Sequence, residues 1–119
     1  MSMQCLVEGE IAFENTGASF VGATAYIRLE AANQTDAASS IIAEQVIPDV
    51  SHEAGDSQTL IIRLSGQIPN EKTSCIVTVH IDVDGDRQVS QGDYINMESY
   101  PVITYGHPQQ ISISVRQVR

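Results

Sequence analysis

Residues 74–83 read Ser-Cys-Ile-Val-Thr-Val-His-Ile-Asp-Val. Cys75, Val77, Val79, Ile81 and Val83 take every second place, with Ile76, Thr78, His80 and Asp82 between them. That period of two is the signature of a strand with one buried face, and the β-branched content agrees. Downstream, residues 84–93 form an acidic turn. A strand over 94–104 follows, in which Pro101 calls for a bulge or an edge position. Gly106-His107-Pro108 turns the chain into a strand at 109–117, with Ile111, Ile113 and Val115 inward.

Upstream the same alternation returns. Leu60, Ile62 and Leu64 share a face in 59–65, and residues 41–47 run up to Pro48, which ends the strand or marks it as an edge. Ala23, Ala25, Ile27, Leu29 and Ala31 share a face in 23–31. Residues 5–13 put Cys5, Val7, Gly9, Ile11 and Phe13 inward against Leu6, Glu8, Glu10 and Ala12. Residues 32–40 break the pattern, with at most one helical turn capped by Thr35-Asp36. Residues 49–58, including His52, read as an exposed loop. About seven strands and no helical spacing predict an all-β chain, an antiparallel β-sandwich of the immunoglobulin-like or transthyretin-like kind. A closed barrel is the alternative.

The chain has 119 residues, so residues 1–119 are expected to form one domain. Six Lys+Arg against fifteen Asp+Glu give a net charge of −9. Such a surface does not release counterions from nucleic acid or bind anionic lipid. No apolar run approaches the ~18 residues of a membrane span. The opening Met-Ser-Met-Gln-Cys lacks a basic region and an apolar run, which predicts a cytoplasmic chain or one whose signal has been cut away. Cys5 does not follow the small, apolar run that lipid attachment needs. Cys5 and Cys75 both read as inward-facing, reduced thiols; a disulfide between them is the alternative in an oxidising compartment.

The sharpest constellation is His80-Ile-Asp-Val-Asp-Gly-Asp-Arg-Gln-Val-Ser-Gln-Gly-Asp93. Asp82, Asp84, Asp86 and Asp93 supply closely spaced carboxylates, the ligands that a calcium ion takes. Glycine in the fourth place and flanking strands exclude an EF-hand, so the reading is a calcium loop borne on a β-domain. The opposing reading is a solvated hairpin, because Asp84-Gly85 favours a tight turn. No other cofactor is expected. His52, His80 and His107 lack zinc spacing, and no nucleophile elbow is present, so no enzyme is expected. Tyr94, Tyr100 and Tyr105 gather in the last third and suit a partner-binding surface, or ordinary strand packing. Open sheet edges, such as that of residues 42–47, accept a partner's strand or a second copy of the chain.

The order of landmarks resembles a known family. An opening strand with Gly9 leads to Gly22-Ala-Thr-Ala-Tyr-Ile-Arg-Leu-Glu30, then Thr35-Asp-Ala37 before Ile42-Ala-Glu-Gln45, then Leu60-Ile-Ile-Arg-Leu64, Ile68-Pro69 and the Val-rich strand. This resembles the YbaY-like family, which includes the YscW-type lipoproteins of type III secretion. The resemblance implies an all-β sandwich and a place in the cell envelope. YscW-type members act as pilotins, which bind and deliver a secretin subunit; their signal peptide and lipobox are not expected from the opening Met-Ser-Met-Gln-Cys. The expectation is a non-enzymatic, chaperone-like module that offers a sheet face or edge to a protein partner.

Overall fold

The structure is a computed structural model that describes residues 4–13, 19–31, 40–53, 59–67, 73–85, 87–89, 91–96, 98, 100–104, 106 and 108–118. The turn expected at 35–39 lies outside them. The strands are β1 (Gln4–Phe13), β2 (Phe20–Ala31), β3 (Ser40–His52), β4 (Leu60–Gly66), β5 (Cys75–Asp82), β6 (Tyr94–Asn96), β7 (Tyr100–Val102) and β8 (Gln110–Gln117). Among the described residues there is no helix.

The strand expected over 94–104 is two pieces. β6 pairs with β5 at His80 and Ile81, and β7 at Cys75 to Val77. The Asn96 side chain spans the break, its Oδ1 accepting the Val79 N–H at 2.8 Å. The interruption thus falls before Pro101 rather than at it.

One sheet runs in the order β3-β2-β5-β6-β8-β1-β4, with β7 beside β5. It curls into a nearly closed, barrel-like form, so the expected sandwich of two stacked sheets is corrected to a single sheet. Nor is it wholly antiparallel: β1 runs parallel to β8, from Glu8 opposite Gln110 to Phe13 opposite Val115. The physical reason is curvature. A sheet with one apolar face and no covering layer closes that face on itself, and bulges supply the bend. Pro48 and Asp49 lie between the pairs Ala25–Ile47 and Ala23–Val50, where the ladder slips, and Asp49 has φ 61°. A second slip follows between Ala23 and Phe20, around Gly22 at φ 73°. β3 therefore continues past Pro48 to His52. Among the described residues it pairs with β2 alone, so it is an edge there as expected.

The inner face follows the alternation closely. Ala23, Ala25, Ile27 and Leu29 of β2, Val77 and Ile81 of β5, and Ile113 and Val115 of β8 are fully buried. β1 departs from it. A slip between Cys5 and Val7 places Leu6 and Val7 both inside and leaves Cys5 half-buried. Cys75 is buried, and both thiols are free. His52 is corrected as well. It is buried at the end of β3, stacked on Phe13 with ring centroids 4.5 Å apart. Phe13 and Phe20 each meet Tyr94, at 5.6 and 5.2 Å. These four rings plug one end of the barrel with large apolar area.

Gly9 sits where β1 meets β8, and a β-carbon there would collide with the Ile111 carbonyl. Backbone cannot swing aside as a side chain does. Gly9→Ala is expected to cost about 2–3 kcal/mol, the upper range for overpacking, read as a lower urea midpoint with an unchanged slope.

Burial pushes the Cys75 thiol above its ordinary value of 9.0, and the Thr104 hydroxyl beside it pulls partly back. Below that value folded and unfolded chains both hold the proton, so nothing changes. Above it the unfolded chain gives up a proton that the folded chain keeps, and stability falls as pH rises. Cys75→Ala is expected to make the alkaline decline of urea stability above pH 9.0 shallower; an unchanged slope would remove Cys75 from the account.

Candidate functional site

β5 ends at the plugged end of the barrel, and its last residue breaks the face rule. Asp82 has outward parity yet is only 2% exposed. The turn that follows folds back over it. One Asp82 oxygen accepts the Gly85 N–H at 3.1 Å, the other the Arg87 N–H at 2.7 Å. An aspartate accepting N–H groups a few residues ahead is a turn former, and its charge strengthens each bond. Gly85 at φ 78° and Arg87 at φ 61° are the positive-φ positions that the tight path requires. Glycine adopts this without strain; Arg87 holds it against the preference of an L-residue.

Asp93 closes the loop from the other side and is fully buried. Its Oδ1 accepts the Val83 N–H at 3.0 Å, and its Oδ2 lies 2.8 Å from His80 Nε2. The flanking backbone is tied to the end of β8: Gly92 N–H to the Val118 carbonyl at 2.9 Å, and Val118 N–H to the Asp93 carbonyl at 2.7 Å. His80 packs its ring on Tyr26, 6.0 Å away and 27° from parallel.

Together these parts form a groove of about 490 Å³ on the outer sheet. Tyr26 and His80 make its floor. Arg28, bound to Glu44 at 2.6 Å, makes one wall. Arg87 and Val89, carried by the acidic turn, make the other. The turn thus shapes a surface instead of simply dissolving a loop.

Of the four carboxylates named from the sequence, the structure brings together two. Asp82 and Asp93 converge with His80, one ligand atom of each lying within 4.8 Å of the others. Asp84 is exposed, and Asp86 lies outside the described residues. Each oxygen of Asp82 and Asp93 already faces a group of the protein itself. Calcium takes six to eight oxygens, so this set of two engaged carboxylates and an imidazole gives a calcium ion little to hold. His80 and Asp93 form a dyad, but among the described residues no hydroxyl or thiol bonds to His80.

The tyrosines separate. Tyr94 was expected at a partner surface; it is fully buried between Phe13 and Phe20, and among the described residues its hydroxyl has no hydrogen-bond partner. It is a core residue, because its strand parity turns it inward opposite Ile81. Tyr100 is half-buried, and its hydroxyl accepts the Ser114 N–H at 2.9 Å, stitching β7 to β8. Tyr105 lies outside the described residues. The sequence reading missed His80 as Asp93's partner. The available signal was its parity with Asp82 on one strand face.

An all-β, barrel-like sheet with a groove beside its plugged end is the class that these observations define. No family model matches the chain, and no curated protein sequence matches it. Among solved structures it is similar to an alternative pilotin from the type II secretion system of Vibrio cholerae, with a TM-score of 0.77 and 20% identity over 99% of each chain. At that identity the likeness is one of fold. It gives a pilotin-like fold and does not single out the YbaY-like or YscW-type family.

Asp82→Asn keeps the shape but leaves one acceptor oxygen for the Gly85 and Arg87 N–H groups. It is expected to cost about 1.5–3 kcal/mol, the net worth of a hydrogen bond to a charged group. Asp84→Asn, on the exposed side of the same turn, should cost less. Urea unfolding of both in EDTA and in millimolar Ca²⁺ checks this; the gap between them should be the same in each buffer, and a gap that opens only with Ca²⁺ would make the turn an ion site.

Proposed function

We propose that the protein is a non-enzymatic, chaperone-like module of the cell envelope that binds a protein partner, the partner being a subunit of a secretion pore. The observation that carries this reading is the pilotin-like fold along 99% of the chain. Three features agree with it. The barrel has a well-buried apolar interior, and no side chain among the described residues is arranged for nucleophilic attack. The net charge of −9 disfavours nucleic acid and anionic membrane. No helix of the described residues is long and apolar enough to cross a membrane. The mechanism is presentation of a preformed sheet surface, so that the partner alone loses freedom on binding.

The test is affinity capture from detergent-solubilised envelopes of the native cell, followed by titration of the captured subunit's purified segments by calorimetry. A secretin-type subunit as the dominant species, binding with a micromolar Kd, is the expected outcome. Recovery of no envelope protein from either membrane overturns the reading.

A further inference from the structure

The sheet path ends in β3 and β4, which lie side by side at the barrel's seam with no ladder between them among the described residues. This seam is a wedge. It is shut at one end, where a β-carbon on Gly66 would stand 3.5 Å from the Ile42 carbonyl oxygen and 3.7 Å from the Ala43 β-carbon. In the middle the Gln45 side chain spans it: its Oε1 accepts the Arg63 N–H at 2.8 Å. At the far end the Pro48–Asp49 bulge carries β3 away, and a cavity of about 220 Å³ opens, lined by Phe13, Ile47, Val50, His52 and Leu60 among others.

The geometry points to this seam as an acceptor for one extended segment of the partner protein, which adds a strand to β4 and places an apolar side chain in the cavity. The inference rests on the protein-binding reading above and assigns it a place. Backbone polarity is the first reason. Arg63 N–H faces the seam, so by the alternation of an antiparallel pair the N–H and C=O of Ile61 face it too. A strand satisfies such groups; a helix does not. Gln45 occupies one of them and acts as a latch. The second reason is charge. Asp49 lines the cavity, Glu10 bonds Thr59 at its rim, and Glu53 follows His52. This selects an apolar segment with lysine or arginine flanks. A second copy of the chain would bring the same carboxylates and another −9.

The probe is a synthetic peptide of alternating valine and threonine with two lysines at each end, titrated against the full chain by fluorescence anisotropy. Amide exchange is followed by NMR. The expected result is saturable binding, protection of the Ile61 and Arg63 amides, and a loss of about tenfold or more when the central valine is proline or the flanks are glutamate. Gln45→Ala should bind several-fold tighter, because the latch is gone. Arg63→Pro removes the seam donor but no bond to β1, is tolerated on an edge strand, and should abolish binding. Unprotected edge amides at saturation, or protection that instead grows with protein concentration as the chain dimerises, overturns the seam. Should the peptide fail to bind while the envelope partner is captured equally by the parent and by Gln45→Ala, the seam is wrong and the protein-binding reading stands.

Discussion

A lone sheet with one apolar face and no layer to cover it has a single way to leave water: it must close on itself. Most features of this molecule answer that constraint. The inner face is built of small and β-branched residues, Ala23, Ala25, Val77 and Val115 among them, which permit a tight radius. The slips at Pro48–Asp49 and Gly22 bend the β2–β3 pair where flat pleating would splay it. Gly9 lets β1 lie against the Ile111 backbone. The open end is filled by Phe13, Phe20, His52 and Tyr94, large rings that replace a missing layer.

The acidic turn is best understood within the same constraint. A chain leaving β5 at the plugged end must turn over the barrel rim, where its N–H groups leave the ladder that would have paired them. Asp82 and Asp93 receive those groups, and their burial is tolerable because each carboxylate oxygen meets a polar group of the protein. His80 completes the arrangement by facing Asp93 from the outer sheet. Carboxylate spacing alone resembles an ion loop because both tasks require oxygens presented to donors.

Strand positions were legible in the sequence because burial on one face imposes a period of two, and it does so in β2, β4, β5 and β8 nearly without exception. What escaped was whatever depends on a single inserted residue. One slip beside Leu6 reverses the expected faces of Cys5 and Leu6. One break after Asn96 turns a strand into two. Closure into one sheet and the parallel β1–β8 pair join residues too distant for any local pattern. At the site, the convergence of His80, Asp82 and Asp93 needed a turn whose path is set by Gly85 and Arg87. Tyr94 is turned inward by its strand parity opposite Ile81, which a cluster of tyrosines in the last third does not disclose.

The pairing of β1 with β8 has a consequence in time. Ser112 and Glu10, whose side chains touch across that pair, are 102 positions apart. During synthesis β1 can join β4 early, but its other flank waits for almost the whole chain to emerge. Until then the barrel stands open along that line and its interior is wetted. Long-range closure of this kind is slow and leaves sticky intermediates. The closing pair therefore forms late, and until it does the half-built sheet offers its apolar face to other chains.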